Sequence, residues 1–221
     1  MKMKIKLLAI IVLSLFTNEI FSQTSELVKP KGNWYFGAEI GRNRANSLSL
    51  GEDKNSFQGG VLAEYYFAKQ WSLSGRIKYF KTGVSFHESG SGGWFGSSGG
   101  YGVFNGAVIA APINIKWEFR LYKNLKGYLK LGYAYNIETK SEYGNYSHNL
   151  STDYSKYYGA VNAGYGFNYF INEKMAVYID FEAYSGASKG ITQSFFGSHS
   201  HNVENSLINF GLKYNFKKEN L

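Results

Sequence analysis

Apolar and polar residues alternate with a period of two about eight times along this chain, and no other feature constrains its fold as strongly. Successive side chains of a strand point to opposite faces, so each such stretch has one greasy and one polar side. The first, about 32–42, sets Trp34, Phe36, Ala38 and Ile40 against Tyr35, Gly37, Glu39 and Gly41. The second, about 56–67, lines up Phe57, Val61, Ala63, Tyr65 and Phe67, with Leu62 turned to the polar side. The third, 71–81, opposes Trp71, Leu73, Ile77 and Tyr79 to Ser72, Ser74, Arg76 and Lys78. The fourth, ending at Phe119, opposes Ile113, Ile115, Trp117 and Phe119 to Asn114, Lys116 and Glu118.

The fifth stretch, about 127–138, carries Leu129, Leu131, Tyr133, Tyr135 and Ile137 against Lys130, Gly132, Ala134 and Asn136. In the sixth, Tyr157, Val161, Ala163, Tyr165, Phe167 and Tyr169 alternate with Ala160, Asn162, Gly164, Gly166 and Asn168. The seventh sets Val177, Ile179, Phe181 and Ala183 against Tyr178, Asp180, Glu182 and Tyr184, and the closing stretch is 209–216. Most reach the ~9–11 residues that a tilted strand needs to cross a bilayer. The connections alternate in length: 68–70, 120–126 and 171–174 are short, while those after the odd-numbered stretches are long and polar. The pattern predicts an all-β fold, an eight-stranded antiparallel up-and-down transmembrane β-barrel with short turns on one rim. Pro112 lacks a ladder donor and predicts a bulge at its position.

The N-terminus supports export. Lys2, Lys4 and Lys6 precede an apolar run from Leu7 to Phe16, and Ser22 marks a plausible cleavage point. Asn18 and Glu19 interrupt the run before the ~20 apolar residues of a spanning helix. The expected organisation is a cleaved signal peptide (1–22), an N-terminal periplasmic segment (23–31), the barrel (32–216) and a C-terminal tail (217–221). With 0 Cys, the chain has no disulfide, thiolate metal site or cysteine nucleophile. Its 17 Phe, 19 Tyr and 26 Gly suit many strands with close packing. The net charge of +8 comes from Lys and Arg scattered singly through the strands, which points away from nucleic acid and towards anionic lipid headgroups.

If lipid wets the apolar face, the other face lines the lumen with Glu39, Glu64, Arg76, Lys78, Lys116, Glu118, Lys130, Asp180, Glu182 and Lys213. These five acids and five bases can be buried together only as hydrogen-bonded pairs, giving a plugged, salt-bridged core or, alternatively, a polar path for a small solute. Inward glycines at 37, 41, 132, 164, 166 and 211 leave room for the long side chains. Aromatic residues near the short turns form an interface belt: Trp34, Tyr65, Phe67, Trp71, Trp117, Phe119, Tyr128, Tyr169, Tyr214 and Phe216.

The eight stretches, the export signal and the closing Asn209-x-Gly211-x-x-Tyr214-x-Phe216 together resemble bacterial eight-stranded outer-membrane β-barrels. The chain is most similar to the "outer membrane protein beta-barrel domain" proteins of the Bacteroidota. The Ser22-Gln23 site and the Pro112-Ile113-Asn114-Ile115-Lys116 stretch carry that likeness. The resemblance implies residence in the cell outer membrane among its lipids. It also implies insertion by the barrel assembly machinery, which would read Asn209, Gly211, Tyr214 and Phe216.

Enzymatic chemistry has little footing. The histidines His87, His148, His199 and His201 sit in stretches expected to be long loops, near Asp153, but no Gly-x-Ser-x-Gly elbow marks a nucleophile. His199-x-His201 alone is a weak metal signal. The expectation is a non-enzymatic envelope protein without catalytic, cofactor or metal residues, whose loops, including the Gly/Ser-rich 89–96, are available to an extracellular ligand. A narrow channel or small-solute transporter is the alternative, and a loop-based enzyme comes third.

Overall fold

The computed structural model describes residues 30–47, 53–87, 101–144, 151–154, 157–185, 190–194, 197–201 and 203–216. The expected signal peptide and C-terminal tail, and His148, lie outside the described residues. Among the described residues the chain forms β1 (Trp34–Ser47), β2 (Lys54–Tyr66), β3 (Trp71–His87), β4 (Tyr101–Tyr122), β5 (Leu125–Gly144), β6 (Ser151–Tyr154), β7 (Tyr157–Phe170), β8 (Met175–Ser185), β9 (Gly190–Ser194), β10 (Gly197–His201) and β11 (Val203–Tyr214). Eight of these close into an antiparallel barrel in the order β1-β11-β8-β7-β5-β4-β3-β2. The sheet has no free edge at β1, because Phe36 to Ser47 pair with Tyr214 to Val203 of the last strand.

Closure fixes a stagger. One row of cross-strand partners runs Phe80, Gln58, Gly41, Asn209, Asp180, Gly166, Tyr128 and Glu118. It returns to the foot of β3 at Gln70, the residue before Trp71, whose carbonyl accepts the Glu118 amide at 2.7 Å. The row therefore meets its starting strand ten residues lower, a shear that tilts the strands by about 35–45°.

The structure alters several details of the expected elements. β4 continues to Tyr122 and β5 starts at Leu125, so the expected 120–126 connection is the two-residue turn Lys123-Asn124, with Lys123 at φ 31°. The outward alternation simply continues through exposed Leu121, and a register shift between Arg120 and Tyr122 absorbs the odd residue.

Pro112 causes no bulge. It keeps its place opposite Ala134, and the ladder to β3 only lapses between the Gly75–Ile113 and Lys78–Ala110 rungs, where the missing N–H would have paired. The bulge lies higher, between Ala107 and Val108, where Thr139 is the extra residue and its hydroxyl donates to the Ala107 carbonyl at 3.1 Å.

β3, β4 and β5 also run well past the last β2 and β7 partners, Gln58–Phe80 and Ile137–Tyr157, as a protruding ladder. Two of the expected loops contribute β6, β9 and β10 to a separate three-stranded sheet. His87 thus ends a strand, and His199 and His201 lie in β10. The ladder of the protruding part runs from Lys81–Ala107 to His87–Tyr101 between β3 and β4, and from Ala107–Lys140 to Val103–Gly144 between β4 and β5.

Candidate functional site: the lumen and the lipid-facing wall

Strand parity sorts every described barrel residue. Outward positions carry no acidic or basic side chain over Trp34–Ile40, Phe57–Phe67, Trp71–Tyr79, Ile109–Phe119, Leu129–Ile137, Tyr157–Tyr169, Met175–Ala183 and Ile208–Phe216. At ~3.3 Å per residue and ~40° of tilt, eight to ten residues rise about 20–25 Å, matching the ~25 Å apolar band of outer-membrane barrels. Charges resume at Arg42, Asp53, Lys81 and Lys140 on the long-loop rim, and at Lys31, Lys69 and Lys123 on the other.

Near the short turns, Trp34, Trp71 and Tyr169 are exposed and Trp117 is partly so. Trp71 pairs across the ladder with Trp117, and the Trp34 ring lies 4.9 Å from that of Tyr65. Tyr128 does not belong to this belt. It shares the parity of Lys130 and is buried in the lumen, with the Lys116 Nζ 4.1 Å from its ring centroid.

All ten lumen charges expected from the alternation are buried inside the barrel. Lys126 and Glu138 join them, so the described lumen holds six acids and six bases. Both fall on the inward parity of β5, the signal that identifies them.

The lumen is layered. At the short-turn rim, Tyr35, Tyr66, Phe170 and Ala176 form a buried plug, with the Tyr35 and Tyr66 rings edge to face at 5.5 Å. Above it, Lys116 Nζ lies 2.6 Å from Glu64 and 2.9 Å from Glu118, and Lys213 Nζ lies 2.7 Å from Glu64. The hydroxyls of Ser72 and Tyr66 donate to Glu64 and Glu118 at 2.6 and 2.7 Å. Lys126 sits 3.9 Å from Glu118.

The central layer gathers Glu39, Asp180 and Glu182 around Arg76, Lys78 and Lys130. Arg76 Nη1 reaches all three acids, lying 3.2 Å from Glu39, and Lys78 pairs with Glu39 and Glu182. Lys130 binds Asp180 and lies 2.8 Å from Glu182. Tyr178 donates to Glu39 at 2.7 Å and Asn209 donates to Glu182 at 2.8 Å.

The three acids bring one oxygen each within 4.8 Å of one another, close enough for a cation. The ammonium and guanidinium groups already supply that charge in equal number. Higher still, Phe80, Val108, Ala110, Ala134, Ala160, Tyr184 and Leu207 form an apolar layer, topped by Asn43 and Thr82, which both donate to Asn205 at 3.0 Å.

The four residues of the closing strand divide between the two faces. Asn209 and Gly211 serve the lumen, Gly211 lying beneath the Tyr178 ring. Tyr214 and Phe216 face lipid, their rings 5.0 Å apart.

No curated protein matches the chain. Among solved structures it is similar to the outer membrane protein OprG of Pseudomonas aeruginosa, with a TM-score of 0.56 and 13% identity over 86% of this chain and 100% of that one. It is also similar to Neisserial surface protein A, with a TM-score of 0.53 and 14% identity over 83% of this chain and 97% of that one. At such identities the likeness is one of fold. The family described as "Outer membrane protein beta-barrel domain" matches residues 8–216. The closed eight-stranded barrel and its charge-free outer band have the architecture which that family's name describes, and the chain belongs to the outer membrane protein beta-barrel domain family.

Proposed function

We propose that the protein is a non-enzymatic structural or interaction protein of the outer membrane. Its lumen is plugged, its short-turn rim faces the periplasm, and its long-loop rim meets an external partner. The observation that carries this reading is the layering of the lumen. A salt-bridged network is sandwiched between the Tyr35–Tyr66–Phe170 plug and the Phe80–Tyr184–Leu207 layer, whose side chains are 0–3% exposed. A solute path would need an unbroken polar lining, and two apolar layers interrupt it. The protruding β3–β4–β5 ladder offers a platform beyond the bilayer for a ligand that is not a nucleic acid. Export through a cleaved signal peptide and insertion by the barrel assembly machinery complete the reading.

Planar-bilayer recording tests it. The wild type is expected to stay silent, and Phe80→Ala/Tyr184→Ala as well, because the Tyr35–Tyr66–Phe170 plug still closes the lumen below the opened layer. Stepwise wild-type currents abolished by Lys116→Ala or Asp180→Ala would establish the channel instead. Turnover of phospholipid or peptide that disappears when all four histidines become alanine would establish an enzyme.

The chain lacks cysteine, so single cysteines report sidedness. An impermeant maleimide should label Lys140→Cys on intact cells and Lys69→Cys only after lysis. The reverse pattern inverts the orientation.

A further inference from the structure

The arc of wall formed by β1, β11, β8, β7 and β5 is grooved on its lipid side. The lower part of the groove lies between Ala38 and Ile40 on one side and Phe167 and Val177 on the other. The upper part is floored by Ala163, Ala183 and Ser206 and walled by Tyr165, Phe181 and Ile208. The two parts abut strand by strand. Ile40, Phe210, Ile179 and Phe167 line the lower part, and the next outward residues, Arg42, Ile208, Phe181 and Tyr165, line the upper. From Ala38 to Arg44 the groove climbs about 15 Å, close to the depth of one leaflet of a ~30 Å hydrocarbon core.

Its upper end is cationic. Arg42 and Arg44 line it as exposed side chains, on the first outward positions above the charge-free band of β1. The register neighbours of Arg42 are Ile208 and Phe57, so its guanidinium stands on an apolar wall at headgroup depth. Arg44 pairs with Asp53, its Nε donating to Oδ2 at 2.9 Å, and remains 60% exposed, so the pair of arginines keeps a net positive charge beside one carboxylate. Guanidinium forks favour phosphate geometry, and small residues below them leave room for a chain.

We propose that this groove holds a phosphate-bearing lipid of the outer leaflet, its phosphate on Arg42 and Arg44 and an acyl chain along the floor of Ala163, Ala183 and Ser206. The leaflet assignment rests on the orientation proposed above, whereas lipid capture itself does not.

Native mass spectrometry of the full refolded protein, released from zwitterionic detergent, tests the proposal with lipid A as the probe. One lipid A should bind per barrel. Arg42→Gln/Arg44→Gln should weaken that binding at least tenfold. Lys81→Gln, on the same rim but off the groove, should leave it unchanged. Asp53→Asn should strengthen binding several-fold by removing the competing carboxylate. Ala183→Trp, with both arginines intact, should weaken binding by filling the floor. Heat-modifiable migration on gels reports that each variant has folded. Equal binding by the double arginine variant or by dephosphorylated lipid A would overturn the proposal. So would displacement by inorganic phosphate at the same concentration, which would mark a bare anion site.

Discussion

At Gly211 the barrel interior leaves no room for a side chain. A Cβ built there would lie 2.2–2.5 Å from atoms of the Tyr178 ring, and its three nearest neighbours all belong to that ring. The ring cannot withdraw freely, because its hydroxyl donates to Glu39 and its face lies 5.7 Å from the Arg76 guanidinium carbon. Gly211→Ala should therefore destabilise the barrel by about 1–3 kcal/mol in urea titrations. The penalty should shrink in a Tyr178→Leu background, where the obstruction is gone. Additive costs would place the strain elsewhere.

Arg76 presents the opposite case, a group whose loss leaves charge behind. Arg76→Leu removes one cation from an equal set and strands Glu39, Asp180 and Glu182 with Lys78 and Lys130. About 3–5 kcal/mol should be lost, as for other buried pairs broken from one side. A loss below 1 kcal/mol would mean that water already screens the central layer.

At the scale of the strand, the two faces of the barrel should respond differently to the same charge. Ile179 faces lipid midway along β8, between Val177 and Phe181. Ile179→Arg should cost ~2–4 kcal/mol near the bilayer midplane. Asn162→Arg puts the same group into a lumen where Glu182 already accepts from Asn162 at 3.3 Å, so it should cost less. Equal tolerance in vesicle unfolding would contradict the assignment of inside and outside faces.

Parity along a strand is the part of this structure most legible in sequence. It fixes the lumen set and the lipid face, and applied to β5 without interruption it also finds Lys126, Tyr128 and Glu138. Tyr128 misleads only when nearness to a turn is weighed above parity, since an amphipathic ring suits either environment. Pro112 is illegible for another reason. A missing donor demands a bulge only if the partner strand cannot tolerate lapsed rungs, and that depends on β3, far away in sequence. In the β3 extension the apolar residues Val84 and Phe86 fall out of phase with Trp71 to Tyr79, and β6, β9 and β10 are only four or five residues long, so the periodicity that marks the lipid face does not reach them.

For the whole molecule, the ten-residue stagger decides which charges meet. Arg76 and Asp180 pair across 104 positions of sequence because the closed ladder brings β3 and β8 to the same depth on opposite walls. No local pattern encodes that meeting. The same closure separates the folded barrel from the route by which it is assembled. β1 and β11 are joined by an uninterrupted register, and the two ends are tied to the rim by the Gly32 amide on the Tyr66 carbonyl and the Asn215 amide on the Lys174 carbonyl, both at 2.7 Å. Where the chain starts is thus immaterial to the finished ladder. A circular permutant joining Phe216 to Gly32 through a short Gly/Ser linker, and opened between Asn172 and Glu173, should refold into lipid vesicles with a stability within about 1–2 kcal/mol of the wild type. If the assembly machinery reads Tyr214 and Phe216 as a terminal strand, the same permutant, carrying an export signal, should accumulate unfolded in the periplasm of cells. Folding in both settings would strip the closing strand of a signalling role and leave its aromatics as interface anchors. Failure in both would show that the β1–β11 seam needs free ends to close.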